Sequence, residues 1–359
     1  MNKKLRHAII GAGGISRKHF EGYGALPSDL EIVAVCDINS ELLARAKDKY
    51  NVKIATDNYR ELFSSGQIDS VSICLGNHLH APVSIEALEA GLHVHCEKPM
   101  ALNAAEAREM LAASIKSGKT LMVALNNRFT PYAQYVKGLA QSGWFGDIYF
   151  AKCGWVRRVG LPLRGWFGEK KYAGGGALID LGVHFIDLTM YMMDFPDVES
   201  VVGRTYTKFG GTPVSPLYAF QNTPIEPGSK FDVDDLTAGM IFMKNGASIQ
   251  FEISWASNIG KECYYYELYG VKGGMSFRFY VGEDEKPSLK LFSVLGGQLA
   301  DTVPLVSANL YPVTEFSHFV DCARSGMPSV MAPPEQGVVM MEIVDAIYES
   351  GRSGKQVIF

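Results

Sequence analysis

The sequence lacks several features by which common classes of protein are recognised. None of its apolar runs approaches the roughly 20 residues of a membrane-spanning helix. Its 34 basic residues form no block and are outnumbered by 38 acidic ones, which excludes a typical nucleic-acid-binding or anionic-membrane-binding surface. The six cysteines are scattered without a Cys-x-x-Cys pair, so we expect reduced thiols in a cytoplasmic protein. Glycines interrupt the short apolar run near the start, and we therefore expect no secretory signal there.

The hydrophobic pattern that is present indicates two domains. The 359 residues exceed a typical single core, and the 47% hydrophobic content is ordinary for a globular protein. In the first third, short apolar strands alternate with amphipathic helices, which is typical of a parallel sheet covered on both faces. The predicted strands are 7–13, 31–37, 70–76, 93–99 and 120–126, with a shorter one at 52–55. We therefore predict an α/β domain over 1–126 with a doubly wound parallel sheet.

The pattern changes after about residue 127. Longer strands joined by turns rich in Gly, Asn and Lys indicate a mostly antiparallel sheet. Amphipathic helices near 314–325 and 334–350 follow the strands. We predict a second domain over 127–359. Whether the helix after residue 334 packs back on the first domain is left open by the sequence.

A glycine-rich turn after the first predicted strand matches a dinucleotide-binding fingerprint. Residues 11–16 read GAGGIS, so Gly11 and Gly13 occupy the first two glycine positions of G-x-G-x-x-G and Ser16 the third. Gly11 permits the tight turn, Gly13 lets the backbone approach a pyrophosphate, and the small Ser16 keeps helix and strand close. The helix N-terminus offers N–H groups to the phosphates, which adds Gly14 and Ile15 as cofactor-binding candidates.

Asp37 ends the next strand, about 20 residues after the turn, where such folds bind the ribose. A carboxylate there accepts hydrogen bonds from the ribose 2′-OH and repels a 2′-phosphate. The following residues, Ile38 and Asn39, provide no arginine for such a phosphate. We therefore predict a Rossmann domain that binds NAD rather than NADP. The alternative is an ordinary glycine turn with a surface aspartate.

The stretch CEKP places two charged residues at the end of the fifth strand. Carboxyl ends of parallel strands face the ligand crevice, so Glu97 and Lys98 are expected beside the nicotinamide. Lys98 can hydrogen-bond a substrate hydroxyl and stabilise its developing oxyanion. A cis bond before Pro99 would aim Lys98 sharply, which the sequence does not decide. The alternative is a solvated lysine that forms an ion pair with Glu97.

Asn77 and His80 reach the same edge of the sheet from the preceding strand. The spacings His78-x-His80 and His93-x-His95 are also those of metal-binding pairs. No acidic or cysteine ligand stands at a companion spacing, however, and a cofactor crevice accounts for both pairs. We therefore expect Asn77 and His80 near the cofactor and predict no metal site.

Six motifs, in sequence order, resemble the Gfo/Idh/MocA family of glucose–fructose oxidoreductase and inositol dehydrogenase. They are GAGGIS, CD, NHLHAP, CEKP, NNRF and GGGALIDLGVHFIDL. The resemblance spans the whole chain and implies a Rossmann domain followed by a substrate-binding α/β domain over 127–359. The large, open, mostly antiparallel sheet of that second domain is implied to form a homo-dimer or homo-tetramer. It also implies hydride transfer between NAD(P) and a hydroxyl or carbonyl of a sugar, inositol or related polyol.

The resemblance further assigns roles to single residues. Lys98 takes the place of the family's catalytic lysine, and its D-x-x-x-H motif falls on Asp180 and His184. The histidine is then the acid/base, and the aspartate binds and orients the substrate. Asn126 corresponds to a residue near the nicotinamide, while Asn127 departs from the more common NYR or NFR. Ser16 in place of the third glycine is a mild departure.

The residues of 174–188 are consistent with these roles. Histidine titrates near working pH and is a natural base for a hydroxyl proton. Asp180 and His184 are four residues apart on one helical face, and Asp187 shares roughly that face as the candidate that orients the imidazole. We interpret glycines 174–176 as room for the chain to pass close to a substrate. The alternative for His184 is a buried structural histidine.

Residues 153–176 are rich in aromatic and basic side chains. Trp166 can stack on the C–H face of a sugar, and Arg157 can donate to hydroxyls or a carboxylate, so both are substrate-binding candidates. The alternative is a solvated connection with packed aromatics.

Other functions stay open within the family. Some members keep NAD bound and cleave glycosidic bonds, and another kind senses NAD as a non-catalytic regulator. A regulator need not retain Lys98, Asp180 and His184, whose presence favours an enzyme. Biliverdin reductase-like relatives need not retain this histidine arrangement either.

Overall fold

A computed structural model describes residues 4–163, 165–210, 216–219, 230–282 and 288–359. Backbone contacts divide the chain into two units, Met1–Asn126 with Val313–Met341, and Asn127–Pro312 with Glu342–Phe359. The helix after residue 334, whose packing the sequence left open, is therefore divided between the two units.

The first unit is built on a parallel sheet whose strands are β1 (Leu5–Ile10), β2 (Leu30–Cys36), β3 (Ile54–Thr56), β4 (Ser70–Ile73), β5 (His93–Cys96) and β6 (Leu121–Val123). In the part of the chain that the structure describes, these six strands lie in the order β3-β2-β1-β4-β5-β6, and all neighbours are parallel. The central strand β4 is buried along its whole length, as expected of a parallel sheet covered on both faces. The predicted doubly wound sheet is confirmed.

Helices connect these strands as the alternating pattern predicted. They are α1 (Ser16–Gly24), α2 (Ser40–Tyr50), α3 (Tyr59–Ser64), α4 (His80–Glu89) and α5 (Ala104–Ser117). Asparagine side chains cap the starts of three of them. Asn39 accepts the N–H groups of Glu41 and Leu42, and Asn103 accepts that of Glu106. These caps satisfy N–H groups that the first helical turn leaves without partners.

The second unit is built on a larger sheet. Its strands are β7 (Ile148–Val156), β8 (Val198–Tyr206), β9 (Leu236–Met243), β10 (Ser248–Ser254), β11 (Cys263–Gly270), β12 (Gly273–Tyr280), β13 (Ser288–Leu295), β14 (Gln298–Thr302) and β15 (Val357–Ile358). Among the described residues they lie in the order β14-β13-β12-β11-β7-β10-β9-β8-β15. Only the β7–β10 pair of this described sheet is parallel. The predicted large, mostly antiparallel sheet is confirmed.

The remaining helices are α6 (Pro131–Gln141), α7 (Lys170–Ala173), α8 (Val183–Met192), α9 (Glu315–Ser325) and α10 (Pro334–Ser353). A π-helical turn, Leu178–Gly182, leads directly into α8. Along β10 of the second unit, Ile249 and Phe251 are buried while Gln250 and Glu252 are exposed, as a sheet with one covered face requires. In the described ranges, we find no helix with the length and apolar character needed to cross a membrane.

Candidate active site

The glycine turn of the first unit has the geometry of a phosphate cradle. Gly11 has φ +98°, and a Cβ there would lie 2.4 Å from the carbonyl oxygen of Cys74, so glycine is required. A Cβ on Gly13 or Gly14 would meet nothing within 4 Å, so the backbone there faces open space. The Ser16 hydroxyl donates to the carbonyl of Gly13 at 2.7 Å. No side chain of the described ranges caps α1, and the N–H groups of Ser16 and Lys18 donate to the carbonyls of Gly13 and Ile15 at 3.2 and 3.0 Å. The positive end of the helix dipole at this N-terminus favours an anion.

Asp37 is tied to this turn by backbone hydrogen bonds. Its Oδ2 accepts the N–H of Ala12 at 2.6 Å, and its Oδ1 accepts that of Asn39 at 2.8 Å. The neighbouring Ile38 is 91% exposed, so the end of β2 opens to solvent. A fixed carboxylate beside a phosphate cradle fits the ribose of a dinucleotide.

Glu97 of the EKP turn is not the partner of a solvated ion pair with Lys98, which was the alternative interpretation. Glu97 is buried, its Oε1 lies 3.0 Å from Nε2 of His19, and its Oε2 accepts the backbone N–H of Lys98 at 3.1 Å. Burial opposes ionisation of this carboxyl, but the hydrogen bond from His19 and nearby positive charge outweigh it and lower the pKa of Glu97 to about 2. The Lys98–Pro99 peptide bond is cis. Lys98 itself is half-buried.

His80 and Asn126 lie at the carboxyl edge of the same sheet. His80 Nδ1 is 2.6 Å from the carbonyl of Pro99, and Nε2 is 3.1 Å from that of Leu75, so His80 connects the β4 end to the EKP turn. Burial lowers its pKa although both carbonyls act in the opposite direction. The Oδ1 of Asn126 is buried and has no hydrogen-bond partner within the described ranges, as expected of an amide that receives a donor from a ligand. Asn77 is buried and starts the short helical turn Asn77–Leu79.

In the second unit, the three glycines make room for the protein's own chain rather than for a substrate. Gly174 has φ +82° and ends α7. A Cβ on Gly175 would lie 2.0 Å from the Tyr348 hydroxyl, and one on Gly176 would lie 1.8 Å from the carbonyl oxygen of Asp234. The Asp234 carboxylate accepts the N–H groups of Gly176 and Leu178 at 2.8 and 2.9 Å. The glycines thus let Asp234 hold the start of the π-helical turn.

Asp180 lies in the π-helical turn and His184 in the first turn of α8. The sequence predicted one regular helical face, but a π-turn holds more residues than an α-turn and changes the angle between the two side chains. Such turns are frequent at functional sites. The Oδ2 of Asp180 accepts the indole N–H of Trp255 at 2.9 Å, a contact that sequence reasoning missed. Both Asp180 and His184 are half-buried.

Asp187 forms a buried ion pair with Arg128. Its Oδ2 accepts from Nε of Arg128 at 2.8 Å and its Oδ1 from Nη2 at 2.5 Å, and both side chains are buried. The guanidinium also lies 5.0 Å from the ring centroids of Tyr191 and Phe195. Sequence reasoning noted both motifs but not this pairing between them. The orientation of His184 by Asp187 stays a prediction.

The aromatic stretch 153–176 contains an ordered polar contact. Arg157 Nε lies 3.3 Å from Oε1 of Glu262, and the indole N–H of Trp155 donates to the same oxygen at 3.0 Å. The Arg157 guanidinium also lies 4.4 Å from the Trp155 ring centroid. Trp166 stacks on Phe167 with centroids 4.1 Å apart and remains half-buried. Substrate binding by Arg157 and Trp166 stays a prediction.

Comparisons with known proteins agree with the two units. A family model described as oxidoreductase family, NAD-binding Rossmann fold, matches residues 5–125, and one described as GFO/IDH/MocA C-terminal domain matches residues 133–276. The chain belongs to the Gfo/Idh/MocA family. It is thus an oxidoreductase, and NAD is its cofactor, as the fingerprint and Asp37 predicted.

Several relatives of this Gfo/Idh/MocA protein are sugar dehydrogenases by name. D-glucoside 3-dehydrogenase of Escherichia coli K12 is 32% identical over 98% of this chain and 97% of that protein. Levoglucosan dehydrogenase of Pseudarthrobacter phenanthrenivorans is 28% identical over 77% of this chain and 74% of its own. A solved structure of levoglucosan dehydrogenase with NADH and levoglucosan superposes with a TM-score of 0.84 at 25% identity and covers 99% of both chains.

Proposed function

We propose that this protein is an NAD-dependent dehydrogenase that oxidises a secondary ring hydroxyl of a hexopyranoside. The observation that carries the proposal is the end-to-end similarity to a D-glucoside 3-dehydrogenase, in a chain that has Lys98, Asp180 and His184 at the family's motif positions. A glycoside differs from a free sugar in that its anomeric carbon is blocked. Oxidation of one of its secondary hydroxyls therefore takes place at a ring carbon other than the anomeric carbon and gives a keto-glycoside.

We assign the cofactor to the residues of the first unit. The cradle of Gly11, Gly13, Gly14, Ile15 and Ser16 would hold the pyrophosphate, and Asp37 would accept from the ribose hydroxyls. The amide of Asn126, whose Oδ1 is a buried acceptor, would bind the carboxamide end. Asn77, His80 and Glu97 support the same edge. Bound NAD supplies a hydride acceptor for the substrate carbon.

The protein's own side chains then control the hydroxyl proton and the charge on oxygen. Lys98 donates a hydrogen bond to the reacting hydroxyl and stabilises its developing negative charge. His184 takes the hydroxyl proton as general base when the C–H bond gives up its hydride. Asp180, held by the Trp255 indole, accepts from a neighbouring hydroxyl and orients the ring. Arg157 and Trp166 contact the remainder of the glycoside.

We also propose that the enzyme is a cytoplasmic homo-oligomer assembled through the sheet of the second unit. Exposed apolar side chains on its strands support this assembly, among them Tyr149 of β7, Val202 of β8 and Val294 of β13, which are 52, 42 and 64% exposed.

The test is a kinetic screen of alkyl and aryl glucosides, free hexoses and inositols with NAD and NADP, monitored by NADH formation. We expect NADH with glucosides and a keto-glycoside product by NMR. Lys98→Met and His184→Ala each lower kcat by about 10²–10⁴-fold but keep NADH binding, while Lys47→Met, at an exposed site on α2, keeps the wild-type rate. Wild-type rates in either site variant would refute its role, and release of the aglycone without net NADH would replace the proposal by the NAD-retaining glycosidase.

A further inference from the structure

A buried histidine cluster adjoins the EKP turn within the first unit, and Glu97 is the one member of it that the proposed function uses. It consists of His7, His19, Tyr23, Ser70, Ser72, His95, Glu97 and Glu315. All eight side chains are largely shielded from solvent, although buried histidines and carboxylates are costly unless they are hydrogen-bonded. Such a cluster inside an apolar sheet calls for a function beyond packing.

Within the cluster, His19 connects the sheet to the turn that bears Lys98. Its Nδ1 lies 2.8 Å from the Ser72 hydroxyl, and its Nε2 lies 3.0 Å from Oε1 of Glu97. An ionised carboxylate only accepts, so Nε2 must donate to Glu97. The other oxygen of Glu97 accepts the backbone N–H of Lys98. His19, Glu97 and the Lys98 backbone therefore form a continuous chain of hydrogen bonds.

These hydrogen bonds determine whether the Glu97 carboxylate stays ionised and keeps its position. Burial opposes the charged form of Glu97, and the hydrogen bond from His19 is the leading influence that favours it. A protonated Glu97 would be a poorer acceptor for the Lys98 N–H. The titratable groups that face Glu97 are His19 of α1, His80 of α4, Glu315 of α9, Cys74 beyond β4, and His95, Cys96 and Lys98 of its own strand and turn.

We propose that His19 is a positioning residue for the reaction, because it holds the Glu97 carboxylate that fixes the backbone of Lys98. The inference rests on the role proposed for Lys98. His19 does not itself reach the substrate in this scheme. Its removal lets Glu97 take up a proton at higher pH and loosens the turn from which Lys98 acts.

His7 provides a matched control for His19. It is equally buried, and its two ring nitrogens bond the hydroxyls of Ser70 and Ser72 at 2.8 and 2.9 Å. It therefore shares Ser72 with His19 but is bonded to hydroxyls rather than to the carboxylate. Loss of either histidine perturbs the cluster, and only loss of His19 removes the donor to Glu97.

The experiment compares His19→Leu, His19→Gln and His7→Leu in the full-length enzyme with NAD and a glucoside. We expect His19→Leu to lower kcat by about 10²-fold with little change in KM for NAD, and to move the acid limb of the kcat–pH profile toward neutral pH. His19→Gln, whose amide can donate to Glu97, restores most of the rate. His7→Leu keeps the wild-type pH profile even where it lowers thermal stability.

Wild-type behaviour of His19→Leu, or equal effects of His19→Leu and His7→Leu on kcat and on the acid limb, would overturn the proposal. Should His19→Leu fail to fold, His19→Asn, whose shorter amide cannot reach Glu97, takes its place in the same comparison. The Lys98→Met enzyme distinguishes a failure of the positioning role of His19 from a failure of the role proposed for Lys98. If it is inactive while the His19 variants are normal, only the positioning role of His19 fails. If it is fully active, the role proposed for Lys98 fails, and if the wild-type enzyme forms no NADH from any glucoside, the proposed function fails.

Discussion

Glu315 should make the stability of the protein fall as pH rises toward neutrality. This residue begins α9, is buried, and has its Oε1 3.0 Å from Nε2 of His95. The distance suits an ion pair, but burial and the nearby charge of Glu97 raise the pKa of Glu315 to about 8. Burial also lowers the pKa of His95 well below its usual value. Near pH 7 the contact is therefore a hydrogen bond between two neutral groups.

The size of the effect follows from the difference between the folded and unfolded chains. An unfolded glutamate titrates near 4.5, and the folded carboxyl of Glu315 near 8. Between these values the folded protein binds a proton that the unfolded chain does not, so the free energy of unfolding decreases with pH. At about 1.4 kcal/mol per pH unit, the loss across the whole interval amounts to at most about 5 kcal/mol. The stabilisation is complete below pH 4.5 and lost above pH 8.

Glu315→Gln isolates this contribution, because glutamine stays neutral and still bonds His95. Urea unfolding of both proteins from pH 5 to 8 should show the wild type losing several kcal/mol relative to the variant, since only the wild type has a titrating group at position 315. Glu335→Gln, an exposed acid in the first turn of α10, is the control and should follow the wild type. Parallel stability–pH curves for wild type and Glu315→Gln would refute a neutral, buried Glu315.

Two further substitutions test contacts of the candidate site. Asp187→Asn leaves the Arg128 guanidinium buried without its counter-charge, so urea unfolding should show a free energy of unfolding lower by about 3–5 kcal/mol. The double variant Arg128→Met/Asp187→Leu should recover most of this loss. Equal stability of the wild type and the two variants would contradict the interpretation. Asp37→Ser removes hydrogen bonds to the ribose worth about 1.5–3 kcal/mol, so the NAD-to-NADP ratio of kcat/KM should fall roughly ten- to 100-fold, and an unchanged ratio would exclude Asp37 as the ribose-binding group.

The cofactor side of the site was predictable because its determinants are local. The tight turn at Gly11 follows from a short spacing between strand and helix, and Asp37 follows from the end of the next strand. In the structure, the N–H of Ala12 in the glycine turn donates a hydrogen bond to the Asp37 carboxylate and joins the two features. The parallel sheet was predictable for the same reason, since apolar strands that alternate with amphipathic helices favour a parallel sheet covered on both faces.

The buried histidine cluster was not predictable, because its contacts join distant segments. His95 and Glu315 are 220 residues apart in sequence. The sequence offered His93-x-His95 as a metal pair or a crevice residue, whereas the structure bonds His95 to Tyr23 and Glu315. A usable signal was present, since a histidine inside an otherwise apolar strand needs a buried polar partner. Nothing local identified that partner.

The same limit applies to the second unit. The three glycines indicated a close approach of the chain. The space is filled by Asp234, just before β9, and by Tyr348 of α10, and both lie far along the sequence. The spacing of Asp187 put it in a helix after His184, yet its partner Arg128 lies 59 residues earlier in the sequence. The periodicity and spacing of residues in the sequence indicate which helix or strand carries a polar side chain. Long-range packing determines which residue that side chain contacts.

Both units put a buried, paired charge next to a residue assigned to the chemistry. Lys98 follows Glu97, which is held by His19, and His184 precedes by one turn Asp187, which is held by Arg128. A buried charge is costly to move away from its partner, so the backbone that carries it is fixed when the protein folds. The adjacent half-buried side chain then begins from a fixed backbone and needs little reorganisation for reaction. Substitution of the buried partners should therefore lower stability and kcat together, whereas substitution of Lys98 or His184 should lower kcat alone.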